Sequence, residues 1–156
     1  MLYFVFSAGG ESFAIEASYI ELIVPSVGVS SVAHLPNFVR GILEFNDEPV
    51  TVIDFCTIIS GEPCPEKMHA RIAIVKNIDQ ASGGRLLGIL GEKATDILET
   101  SSPFIINQHD GHGPLSYIHP GVLLGSTVIQ LIDIPRFFEA FSNQIYERSS
   151  TRSHYA

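Results

Sequence analysis

The residues best suited to chemistry gather in one short stretch, Gln108-His109-Asp110-Gly111-His112-Gly113, with His119 a few positions on. A His-x-x-His pair beside a carboxylate is a donor set that a borderline cation such as zinc accepts, so a small metal-dependent enzyme using His109, His112 and His119 is one reading. Gly111 and Gly113 make the segment a loop, however. Neither helix nor strand holds the two imidazoles, and no third and fourth ligand is defined, so a solvated loop is the preferred reading. Cys56 and Cys64 could pair, but one short-loop pair in a chain without a secretory signal reads as two free thiols. Cys56 and Ser60 have no recognisable base-and-orienter arrangement. Gly9-Gly10 and Gly83-Gly84 lack the strand-to-helix setting of a phosphate loop. Asp47-Glu48 fall on a turn, where solvation accounts for them. No catalysis, resident metal or cofactor is expected.

Composition excludes further classes. A net charge of −8, with nine basic residues in the whole chain, gives no basic stripe with which to neutralise nucleic-acid phosphates. With 46% hydrophobic and 17% charged residues the chain is too apolar for disorder, and no apolar run is long enough to insert in a bilayer. The opening MLYFVFSAGGES has no cationic n-region, which points to the cytoplasm. At 156 residues one compact domain is expected.

Stepping through the chain, short apolar runs alternate with turn residues, as in an all-β domain: 2–6, 13–15, 39–45, 50–55, 72–75, 86–90, 122–124 and 127–132. Gly9-Gly10, Asn46-Asp47, Gly83-Gly84 and Gly125-Ser126 each lie between two runs, where hairpin turns belong, so most strands should be antiparallel neighbours. Residues 16–24 read as a helical turn passing into a strand. Helix is scarce. A short one is expected after Asp54, ending near Ser60-Gly61. A second follows Asp133, whose carboxylate can cap it while Pro135 sits in the first turn. Phe137, Phe141 and Ile145 then recur four apart with Phe138 beside them, giving an amphipathic helix. The tail 147–156 is polar and should be frayed.

One pattern occurs twice. Gly41-Ile42-Leu43, a turn, a strand ending Val52-Ile53-Asp54 and a helix are echoed by Gly121-Val122-Leu123, a turn, a strand ending Leu131-Ile132-Asp133 and the Phe-rich helix. Two similar lobes are implied, each too small to bury its own apolar face.

The segment LPNFVRGILEFNDEPVTVIDF, 35–55, resembles the central signature of CheW-like domains, the coupling proteins of bacterial chemosensory arrays. YFVFSAGGESFAIEASYIELI (3–23), RIAIVKN (71–77), RLLGILGEKATDILE (85–99) and GVLLGSTVIQLIDIPRFFEAF (121–141) continue the match in order. The resemblance covers nearly everything but the tail, giving a CheW-like domain over 1–146. It implies two small five-stranded β-barrels sharing a hydrophobic core, with a C-terminal amphipathic helix. It also implies a non-catalytic adaptor that holds a histidine kinase's regulatory domain beside a chemoreceptor's cytoplasmic tip and links with other CheW-like proteins in membrane-associated arrays. The contact surface carried over from the family comprises Ile20, Leu22, Arg40 and Gly41, with Asn46 and Asp47 at the hairpin tip.

Three positions depart from the family. Asn46 stands where members carry a partner-facing Arg, losing a charge-assisted contact. Leu22 replaces an acidic residue, and Thr51 a Pro. The apolar framework is kept while the contact surface changes, which suggests a dedicated pathway with non-standard partners, or a degenerate scaffold that serves another one.

Overall fold

The structure, a computed structural model, describes residues 1–78, 85–99, 115–124 and 126–141. Its strands are β1 Leu2–Ala8, β2 Glu11–Glu16, β3 Ile20–Pro25, β4 Val39–Phe45, β5 Glu48–Asp54, β6 Arg71–Lys76, β7 Leu86–Gly91, β8 Lys93–Glu99, β9 Ile118–Leu124 and β10 Thr127–Ile132. Helix α1 spans Phe55–Ser60, and α2 is described over residues 134–141. The fold is mostly β, as expected. Residues 16–24 hold a 3-10 turn, Ala17–Tyr19, that runs straight into β3, as expected. Only β8 went unread: its Lys93, Thr95 and Asp96 break the apolar alternation that marked the others. The tail, Ile145, the Gly83-Gly84 turn, Gly125 and the 108–113 loop lie outside the described residues.

The strands form two five-stranded sheets, ordered β8-β1-β2-β10-β9 and β3-β6-β7-β5-β4. These are the two expected lobes. Neighbours are antiparallel except β2–β10 and β5–β7, which run parallel. The order reveals how the halves interlock. Each half of the chain runs hairpin, lone strand, hairpin, helix, and each splits itself between the sheets. The first half gives β1 and β2 to one sheet and β3, β4 and β5 to the other, and the second half does the reverse. Every sheet is therefore incomplete without both halves, and a single cooperative unit follows.

The hairpin turns obey local chemistry. Asn46 and Asp47 both take positive φ, 48° and 62°, the backbone that a two-residue turn between right-twisted strands demands and that Asn and Asp tolerate. The sequence echo is real, although its glycines do not superpose. The same chain separation relates the Asp54 N–H bond to Phe38 O and the Asp133 N–H bond to Tyr117 O, both 2.7 Å. It carries Gly41 onto Pro120, one residue short of Gly121. The β4 bulge lies between Val39 and Gly41, whereas in the second hairpin the register slips between Ile129 and Leu131.

Between the sheets lies one core. Phe4, Phe6, Phe13 and Ile15 from the first sheet meet Val52, Ile53, Ile72 and Ile89 from the second, with Phe55 of α1 and Phe137, Phe138 and Phe141 of α2. The aromatic rings form a continuous path. Phe13 stands edge-on to Phe55 with centroids 4.8 Å apart, Phe55 approaches Tyr117 at 6.4 Å, Tyr117 meets Phe137 at 5.4 Å, and Phe141 reaches Phe38 at 5.2 Å. Such edge-to-face pairs add orientation to area burial. Gly91 of β7 lies under the Phe6 ring, which a Cβ there would overlap.

One expectation fails. Cys56 and Cys64 are joined in a disulfide, their Cα atoms 5.1 Å apart, rather than being free thiols. Gly61, at φ +81°, turns the chain back after α1, and buried Asp54 draws the Cys64 amide inward, so folding brings together two thiols that sequence separation alone does not.

Two outcomes follow from this packing. Gly91→Ala should cost about 1–3 kcal/mol through collision with Phe6, read as a lower urea midpoint with an unchanged slope. Burial also pushes the Tyr117 phenol well above tyrosine's ordinary value of 10.0. The folded state then keeps a proton that the unfolded chain releases, so this contribution is intact below pH 10.0 and drains away as pH rises toward the elevated native value. Tyr117→Phe should flatten that alkaline loss in pH-dependent denaturation.

Candidate protein-binding site

Each half of the fold has one polar knot, at the junction of a strand and a helix. Asp54 ends β5 and is almost wholly buried. Its Oδ1 accepts the Thr57 amide at 3.2 Å, capping α1, and its two oxygens accept the Cys64 amide at 3.2 and 3.0 Å. Arg40, on the facing strand β4, donates Nη1 to Asp54 Oδ2 at 3.2 Å and Nη2 to the Cys64 carbonyl at 3.1 Å. Donors on both oxygens compensate the carboxylate for the water it loses on burial. The second half repeats the device with different residues. Asp133 caps α2 through the Arg136 amide at 3.2 Å and meets His119 Nε2 at 2.9 Å, while Arg136 Nε lies 3.8 Å from the same carboxylate. His119 is 2% exposed and faces Asp133. His109 and His112 lie outside the described residues.

Among the described residues one group of metal-type donors is close-set, namely Asp54, Cys56 and Cys64. Its thiols are joined to each other, and both carboxylate oxygens already accept hydrogen bonds. Ser60 turns its hydroxyl onto the Cys56 carbonyl at 2.8 Å, a helix-end bond rather than a nucleophile's setting.

The six residues expected to contact partners are dispersed around the second lobe. Ile20 and Leu22 sit on β3, one edge of its sheet, and Arg40 and Gly41 on β4, the other edge. Ile20 is half-buried and packs on the core, whereas Leu22 is 47% exposed and its neighbour Ile23 37%. Gly41 is structural: at φ +152° any Cβ would strike the Ser30 carbonyl, whose pairing with Ile42 draws the segment after β3 onto β4. Asn46 and Asp47 are exposed at the far end of β4, about 20 Å from Arg40 at roughly 3.3 Å per residue. Arg40 keeps 26% of its side chain in solvent.

What sequence reading missed is the setting of Arg40. A groove of about 480 Å³ opens there, walled on one side by Val27 and Val29 and on the other by Glu66, Lys67 and Met68. Val27 is 73% and Met68 89% exposed. The available signals were Val27 and Val29 in a Ser- and Gly-rich stretch and Met68 in a Pro-rich, charged one, and nothing in the sequence says those stretches meet.

Comparison with known proteins accords with this architecture. The model of the CheW-like domain matches residues 2–142. The chain belongs to the CheW-like family. No curated protein matches it. Among solved structures, the scaffolding protein TtCheW from Thermoanaerobacter tengcongensis is similar at 18% identity with a TM-score of 0.65, over 84% of this chain and 82% of that one. That likeness is one of fold. As a CheW-like protein the chain is a non-catalytic scaffold or adaptor of chemosensory signalling, not an enzyme. Among the described residues no helix is long and apolar enough to cross a membrane.

Arg40→Ala leaves the buried Asp54 carboxylate without its cation and should cost about 1.5–3 kcal/mol. Arg40→Lys, able to restore charge but not both bonds, should recover part of that loss in thermal or chemical unfolding.

Proposed function

We propose that this protein couples the regulatory domain of a chemosensory histidine kinase to the cytoplasmic tip of a chemoreceptor, and links to other CheW-like proteins in the same array. The observation that carries this reading is the outer surface of β3. Leu22 and Ile23 stay exposed on an edge strand, beside the Glu21–Lys76 ion pair at 3.1 Å. An apolar patch at a charged rim suits the side of a helical hairpin, which offers apolar knobs at i, i+3 and i+4 with polar residues around them.

The six candidates divide by role on this reading. Leu22 is the direct contact, and Ile20 holds its strand to the core. Arg40 and Gly41 shape the opposite edge, β4, Arg40 by neutralising Asp54 and Gly41 by admitting the Ser30 carbonyl. Asn46 and Asp47 set which partner is accepted at the hairpin tip. The exposed neutral amide and acid there favour a partner with donors to offer rather than a carboxylate.

Titration calorimetry against a receptor signalling tip and against a kinase regulatory domain tests the proposal. Leu22→Glu should weaken receptor-tip binding at least tenfold, about 1.4 kcal/mol, with no change in unfolding midpoint. Unaltered affinity would remove the β3 face from the site. Failure of the unmodified protein to bind either partner would refute coupling and leave a scaffold of another pathway.

A further inference from the structure

We infer that the Cys56–Cys64 disulfide is a latch that builds one wall of the Arg40 groove, so that partner docking there depends on the oxidation state of these two cysteines. The inference rests on the coupling reading above for its occupant, the receptor tip, and on the fold alone for its mechanism.

The segment from Gly61 to His69 returns from α1 to β6 across the surface, and Cys64 is its only buried residue. Glu66, Lys67 and Met68, the groove's outer wall, lie two to four residues beyond that anchor. Three bonds hold the anchor at its place: the disulfide, the Cys64 amide on Asp54 and the Cys64 carbonyl on Arg40. At its far end the segment is tied again by Arg71, which donates to the Met68 carbonyl at 2.7 Å. Loops without buried side chains are the parts of a fold that open most readily, so a single covalent anchor decides where this one lies.

Reduction would undo the anchor for a steric reason. Bonded sulfurs sit about 2 Å apart, whereas two separate thiols need a non-bonded spacing of about 3.5–4 Å. Both cysteines are 2% exposed, so the change falls within close-packed surroundings. Cys64 belongs to the exposed segment and Cys56 to α1, so Cys64 is the one that moves outward. Its amide then leaves Asp54, its carbonyl leaves Arg40, and the Glu66–Met68 wall is displaced. The reductant is a dithiol. One of its thiolates bonds to a cysteine sulfur as the S–S bond breaks and the other cysteine leaves as thiolate. The second thiolate of the reductant then closes its own disulfide, and Cys56 and Cys64 end as two thiols with two electrons and two protons gained.

The groove suits this partner by its chemistry. Val27, Val29 and the flexible, polarizable Met68 offer an adaptable apolar seat, and Lys67 sets a cation beside it, while Arg40 is held by Asp54 and lies 3.9 Å from Glu66. An amphipathic helix end carrying an apolar knob and a carboxylate fits both. Linkage is reciprocal, so a partner that prefers the oxidised form makes the disulfide harder to reduce by the same factor.

The test uses the intact protein, oxidised or treated with dithiothreitol, and the Cys56→Ser/Cys64→Ser variant. Affinity for the receptor tip should fall at least tenfold on reduction and return on reoxidation. A tenfold ratio should lower the disulfide's midpoint potential by about 30 mV when the tip is bound. Hydrogen exchange of residues 61–70 should accelerate on reduction whether or not any partner is present. Unchanged exchange there overturns the latch even if the tip binds. Accelerated exchange without tip binding by the oxidised protein keeps the latch and refutes its occupant. Equal affinity in both redox states, or stoichiometric zinc uptake by the reduced protein with the segment still protected, overturns the inference. Met68→Ser, which removes only an exposed side chain, should weaken the oxidised protein and leave the reduced one unaffected.

Discussion

Neither sheet can be completed by one half of the chain, and the rest of the structure depends on that constraint. A hairpin from one half pairs in parallel with a hairpin from the other, through β2–β10 and β5–β7, and a lone strand from each half crosses to finish the opposite sheet. Burial enforces the arrangement. Phe6 and Phe13 on one side and Phe55 with Ile53 on the other have no full cover within their own sheet, and they find it only in each other. The dominant favourable term, removal of apolar surface from water, is thus paid out only when both halves are present.

That sharing explains where the polar knots fall. A strand that ends at the edge of a packed core and turns at once into a helix leaves helix N–H groups unsatisfied next to apolar surface. Asp54 and Asp133 answer this at equivalent places, and each carboxylate in turn requires a cation. Arg40 supplies it from β4 and Arg136 in the second half, where His119 Nε2 also meets the carboxylate at 2.9 Å. The two halves share this geometry and build it from different residues. The first knot also holds the segment after α1 through the Cys64 amide, and in the second Arg136 reaches the Ser116 carbonyl at 3.3 Å. The two lobes are consequently alike in architecture and different in surface, which is what a scaffold holding different partners on different sides needs.

On the coupling proposed above, the contact surface runs along β3, the β4 hairpin tip and the loops around Arg40, while the first sheet exposes Ile97 and Val128 elsewhere. On that same reading, specificity would lie with a few exposed positions such as Leu22, Asn46 and Met68.

Much of this was legible in the sequence. Strand β4 and its partner β5, the Asn46-Asp47 turn, both capped helices and the passage from a 3-10 turn into β3 are local facts, fixed by alternation, by turn residues that accept positive φ and by aspartates preceding helices. The repeat and the ordered family motifs carried the fold class as well. Tertiary structure alone decided the exchange of β3 and β8 between sheets, since β8 has too mixed an alternation to announce itself and no local signal names a strand's partner. It also decided that Cys56 and Cys64 meet, that Arg40 serves a buried carboxylate before it serves any partner, and that residues 26–31 and 66–68 face each other across a groove. These are juxtapositions of residues far apart in the chain or on opposite sides of a turn. Local propensity sets what a segment becomes, whereas only the closing of the common core sets what it lies against.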